Sequence, residues 1–89
     1  MVPTVFPNPA HISCAPAVTF AGVPASGVVQ IFTVDGRMVR QLDQIAVNGR
    51  VGWDMRTRHA RTVAPGLYVA VVRDQQRAPV KTIRFALRR

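Results

Sequence analysis

Proline and glycine interrupt this chain so regularly that no long helix fits between them. Seven Pro and six Gly are spread over 89 residues, and short β-branched or aromatic runs fill the gaps. That punctuation is what an all-β sandwich or barrel requires. Residues 18–20 read as a short strand, and residues 28–34 as a strong one with apolar side chains on both faces. A strand apolar on both faces belongs in the middle of a sheet. Asp35-Gly36 follows at once and predicts a hairpin into residues 37–42, with positive φ at both turn residues. Asn48-Gly49 is a second such turn, leading into residues 50–53. Pro65-Gly66 feeds a further strand over 67–73, again apolar on both faces, and a polar loop over 74–79 leads to a last strand over 80–87. In that strand Ile83, Phe85 and Leu87 share the inward face, while Thr82, Arg84 and Arg88 point outward. Residues 39–47 are the one stretch with any helical character, and they lack a cap and a full amphipathic period.

Length allows one domain, residues 1–89, with a core and little to spare for a deep cleft. Residues 1–16 form a Pro-rich lead-in or edge segment, because proline cannot donate to a ladder. The lone Cys14 rules out an intramolecular disulfide. No secretory signal opens the chain, and the longest apolar run, residues 63–72, is broken by Pro65 and Gly66. The expectation is therefore either a cytosolic protein or part of a longer exported precursor.

Charge is the other constraint. Twelve basic residues face four Asp, and eleven of the twelve are Arg. Such a surface attracts polyanions but does not choose a fold. Arg56, Arg58, His59 and Arg61 concentrate the charge in one loop, so Arg56, Arg58 and Arg61 are the anion-binding candidates for phosphate or a lipopolysaccharide headgroup. Nucleic acid is disfavoured as a partner, since Phe20, Phe32, Trp53, Tyr68 and Phe85 all fall in β runs where a core claims them; only Phe6 stands apart.

Catalysis finds no support. Ser13 and Ser26 sit in turn-like contexts, and His11 and His59 lie in different polar segments. The carboxylates are scattered: Asp35 in a turn, Asp43 and Asp54 at strand ends, Asp74 at a loop start. Asp is common at such places because it caps local backbone. A metal set drawn from His11, Cys14 and His59 is short of four ligands. The expectation is no enzyme, no metal and no cofactor.

The order of motifs says more than any single one. Phe6-Pro7-Asn8-Pro9 opens the chain; Pro24-Ala25-Ser26-Gly27 precedes the strand that ends in Asp35-Gly36-Arg37; then come Gly49, Trp53-Asp54, Pro65-Gly66-Leu67-Tyr68 and Lys81-Thr82-Ile83. From Val5 to Leu87 this succession resembles the C-terminal sorting domain of proteins exported by the type IX (Por) secretion system. It is also similar to the Ig-like domain of flagellar hook-capping proteins. The resemblance implies an Ig-like antiparallel β-sandwich of about seven strands, without catalytic activity, that directs an upstream cargo domain through the periplasm to the cell surface. It implies an outer-membrane translocon and a surface transpeptidase as partners, with anionic lipopolysaccharide as an anchoring acceptor. Pro7, Asn8, Pro9, Gly66, Leu67, Tyr68, Lys81 and Ile83 match the sorting motif. The chain departs from the family after Trp53-Asp54, where an acidic, Gly-containing loop is usual and a basic one without glycine stands here. Two other readings stay open: a structural or adhesive Ig-like domain in a surface or flagellar assembly, and a small basic module that binds nucleic acid or another polyanion.

Residue by residue, Asn8 is suited to bonding local backbone and stopping the lead-in from sliding. Tyr68 offers an apolar body and a hydroxyl that needs a partner.

Overall fold

The computed structural model describes residues 4–6, 8, 10–12, 17–24, 26–43, 48–76 and 78–88. Pro7, Pro9, Ser13 and Cys14 therefore lie outside the described residues. Eight strands are described and no helix: β1 (Thr4–Phe6), β2 (Ala10–His11), β3 (Val18–Ala21), β4 (Val28–Thr33), β5 (Met38–Leu42), β6 (Arg50–Trp53), β7 (Gly66–Arg73) and β8 (Pro79–Arg88). The chain is all-β, as its punctuation predicts. One sheet has the order β1-β3-β6, the other β2-β8-β7-β4-β5.

Eight strands stand where about seven are expected, and the surplus comes from the lead-in. It supplies an edge to each sheet: β1 runs antiparallel to β3, while β2 runs parallel to the end of β8 through Ala10↔Leu87 and His11↔Arg88. Asn8 sits where the chain crosses between sheets. Its Oδ1 accepts the Ala86 amide of β8 at 3.2 Å. The expected local bond is thus a long-range one, fastening the lead-in to the opposite end of the chain.

Alternation along the strands places one face of each sheet inside. Val18, Phe20, Val51 and Trp53 come from the smaller sheet. Val29, Ile31, Ala70, Val72, Phe85 and Leu87 come from the larger, and together they make one buried cluster. Four rings lock the layers. Phe20 meets Phe85 edge-on at 5.7 Å, and Trp53 meets Tyr68 and Phe85 edge-on at 6.4 and 6.2 Å. Tyr68 stacks on Phe85 at 6.0 Å. Such pairs each contribute about 0.5–1.5 kcal/mol beyond area burial, and three of these four cross between sheets.

Phe32 is a correction. It lies half-buried on the outer face of the larger sheet, opposite Val69 and Met38, not in the core. The second apolar face of β4 and β7 thus forms an outer surface with Val34 and Leu67 exposed.

The turns also differ in type. Asp35 does not take positive φ; Gly36 alone does, at 94°. The Gly36 amide donates to the Thr33 carbonyl (3.0 Å) and the Thr33 amide to the Arg37 carbonyl (2.8 Å), a type I turn completed by a left-handed glycine. Asn48 and Gly49 both have positive φ, 54° and 74°, but they hand the chain from one sheet to the other rather than joining neighbouring strands. Residues 38–42 are strand, and residues 44–47 of the stretch with helical character lie outside the described residues.

Candidate functional site

The basic segment after Trp53 is a small built hairpin. Met55 is buried, its carbonyl accepts the Val63 amide at 3.0 Å, and Arg56 bridges Thr62. At its tip the Ala60 amide donates to the Thr57 carbonyl (2.9 Å) and the Thr57 amide to the Arg61 carbonyl (2.7 Å). This repeats the pattern of Thr33 and Arg37. Ala60, at φ 63°, takes the left-handed place that glycine holds in the other turn. In both turns the threonine hydroxyl accepts the amide of the arginine four residues on, Arg37 at 3.1 Å and Arg61 at 3.4 Å.

Side chains of Trp53, Arg40 and Asp54 anchor the hairpin. The Trp53 indole N–H donates to the Arg56 carbonyl at 2.9 Å. Arg40 of β5 donates to the carbonyls of Arg56 and Thr57 at 3.2 and 3.3 Å, and pairs with Asp54 at 3.5 Å. Asp54 also accepts the Arg56 amide at 3.1 Å. These contacts bring the two turns together around an open cleft of about 600 Å³, lined by Arg37, Met38 and Val39 on one side and Thr57, Arg58, His59 and Arg61 on the other.

Of the anion-binding candidates, Arg58 and Arg61 line this cleft and Arg56 does not. Arg37 and His59 join them. Among the described residues the other carboxylates are held elsewhere: Asp43 accepts from Gln41, and Asp74 accepts the amides of Gln76 and Ala78. Asp35, beside Arg37, accepts the Thr33 hydroxyl, and that bond, aided by the Arg37 charge, holds its carboxyl below the usual range.

The sorting-motif residues fall into two groups. Gly66, Leu67 and Tyr68 pair with Leu87, Ala86 and Phe85, close to Asn8 on Ala86. Lys81 and Ile83 stand opposite Val72 and Ala70, with Lys81 five residues from Ala86, roughly 17 Å at about 3.3 Å per residue. Lys81 and Leu67 are exposed, and Ile83 is half-buried at the edge of the core. His11 and His59 are exposed on separate elements, and no group of three metal-ligating side chains occurs among the described residues. The Arg50 guanidinium covers the Phe6 ring at 5.7 Å.

Tyr68 is fixed at both ends. Its ring lies between Trp53 and Phe85, and its hydroxyl donates to the Ala64 carbonyl four residues upstream. Burial pushes its pKa up. A raised pKa in the folded state means stability that is full below the unfolded value, about 10, and is lost as pH climbs through the higher folded one. Since the chain has one tyrosine, phenolate absorbance reports it alone. The folded protein should ionise at higher pH than the urea-unfolded chain, and Tyr68→Phe should abolish this alkaline loss while costing about 1 kcal/mol at neutral pH. Equal midpoints in the folded and unfolded chain would contradict the buried, bonded hydroxyl.

These features define a class: a small all-β module of two packed sheets, with three arginines around one cleft and no helix long and apolar enough to cross a membrane among the described residues. No protein-family model matches the sequence, and no curated protein matches it either. Among solved structures the chain is similar to part of PorZ of Porphyromonas gingivalis, described as an essential bacterial surface component of the type IX secretion system. Identity is 33% and the TM-score 0.80, over 98% of this chain and 11% of that one. The chain thus spans about a tenth of the length of the protein it matches.

Proposed function

We propose that the domain is a non-catalytic sorting and anchoring module of type IX secretion, with an Ig-like sandwich fold. The observation that carries this reading is the 33% identity, over nearly the whole chain, to a segment of a surface component of that system. The Tyr68 hydroxyl bonded to backbone four residues upstream supports the Ig-like part, since Ig-like sandwiches use such a tyrosine at a corner. On this reading the module travels with an upstream cargo domain to the cell surface. The outer-membrane translocon and the surface transpeptidase are its partners, and no cofactor takes part. A second reading also has an observation behind it: the matched protein is described as a component of the secretion system. The module then belongs to a resident part of the machinery.

A secretion assay separates the two. The 89 residues are fused behind a periplasm-targeted reporter and expressed in a bacterium with a working type IX system and in a mutant without the translocon. Surface reporter in the intact strain only is the result expected of an address label. The variants must spare the fold: removing residues 80–89 would delete most of β8 with Phe85 and Leu87. Leu67→Ser and Lys81→Ala alter exposed side chains instead, and both should reduce surface display. A folded reporter that stays periplasmic in both strains would sink the sorting role and favour the resident one.

A further inference from the structure

The cleft between the two turns goes beyond the secretion reading and is independent of it. Arg37, Arg58, His59 and Arg61 converge there from segments that are distant in the chain, and no carboxylate is among the lining residues. A cleft lined by charge of one sign focuses the field and concentrates anions in it. The cations Arg37, Arg58 and Arg61 are all arginine, whose planar fork matches a carboxylate through two parallel bonds.

Two further features bear on what carries the charge. Exposed Met38 gives the cleft an apolar wall, continued by Val39, which is half-buried and also packs against the core. They also belong to β5, the outermost strand of the larger sheet, whose far side no described strand pairs. An edge strand accepts an extended backbone, with alternate side chains dropping into flanking pockets. A compact anion would use the arginines and leave both the wall and the edge idle.

We propose that this cleft binds an extended acidic peptide segment of a partner protein. Its carboxylates fork onto Arg37, Arg58 and Arg61, its apolar side chains rest on Met38 and Val39, and its backbone runs along the edge of β5.

The test uses the whole 89-residue chain and a blocked ten-residue peptide of alternating Asp and Val, with the Asn-Val version as control. Amide chemical-shift mapping locates the site and calorimetry gives the affinity. The acidic peptide should shift residues 37–39 and 57–61, and the Asn version should not. Arg37→Ala with Arg61→Ala should weaken binding about ten-fold or more, as loss of two charge-assisted forks requires. Arg37→Lys with Arg61→Lys keeps the charge and loses the fork, so it should recover only a small part. Arg56→Ala removes one charge from the hairpin that carries Arg61, outside the cleft, and should change affinity less than two-fold, roughly the scale of one exposed charge. Amide spectra of each variant show whether it is folded.

Three results would overturn the proposal. Equal weakening by Arg56→Ala would reduce the effect to net charge. Inorganic phosphate or glucose 6-phosphate occupying these residues while the Asp-Val peptide does not would make this a phosphoryl site. A single-stranded oligonucleotide outcompeting the peptide at residues 37–39 and 57–61 would make it a nucleic-acid surface.

Discussion

Trp53→Ala is expected to remove about 3–5 kcal/mol of stability, the range for truncating a buried tryptophan. For 89 residues the whole folding free energy is about 4–13 kcal/mol, so the variant should lose from about a quarter of it to all of it. The reason lies in position as much as in size. Trp53 is 1% exposed, belongs to the smaller sheet, and packs against Tyr68 and Phe85 of the larger. Its indole N–H also holds the Arg56 carbonyl, so the ring supports the hairpin that forms one wall of the cleft. Alanine leaves a cavity between the sheets and frees that hairpin on one side. Trp53→Phe separates the two effects. It keeps a ring in place and deletes the donor, while Arg40 still donates to the same carbonyl, so the cost should be about 1–2 kcal/mol. Urea unfolding of both variants checks the pair. A loss below about 1 kcal/mol for Trp53→Ala would mean the four-ring cluster does not hold the sheets together.

Strand content was legible because it depends on local pattern. The alternation of Val18 and Phe20, of Tyr68, Ala70 and Val72, and of Phe85 and Leu87 shows on inspection, and each set is buried as alternation demands. Pairing between distant segments was not legible. Nothing local announces that β1 and β2, either side of Asn8, belong to different sheets, or that β2 lies parallel to β8. Phe32 was misplaced because a strand apolar on both faces gives no sign of which face a second sheet covers. Met55 was hidden for the opposite reason: one apolar residue among charges looks like loop, and only the Met55 carbonyl accepting Val63 reveals an inward turn. The cleft depended on both kinds of blindness. Arg58 and Arg61 stood out as a cluster, but Arg37 joins them only through the topology. Arg56 leaves them through the facing that its bridge to Thr62 imposes.

Gly27→Ala should be the most damaging change outside the core, and it tests the register of the larger sheet. Gly27 immediately precedes β4, whose first pair with β7 is Val28↔Arg73. A Cβ at residue 27 would overlap the Arg73 carbonyl oxygen, with the Pro24 carbonyl oxygen and Cδ at 3.2 and 3.3 Å. The nearest obstacle is backbone at the end of a central strand, so no rotamer change relieves it. Either the turn that joins the Gly27 amide to the Pro24 carbonyl must open, or the β4–β7 ladder must part at its end. Forced overpacking costs about 1–3 kcal/mol where side chains can adjust, and a main-chain clash belongs at or above the top of that range. Gly52→Ala is the matched control: Gly52 is exposed in β6 and a Cβ there meets nothing within 4 Å, so its effect should stay within about 0.5 kcal/mol. Urea midpoints give the two costs. Hydrogen exchange at Val28 and Val29 shows whether the ladder end has opened, as expected if Gly27 is there to let two backbones touch. Equal, small effects at positions 27 and 52 would mean that β4 and β7 do not meet in the register described.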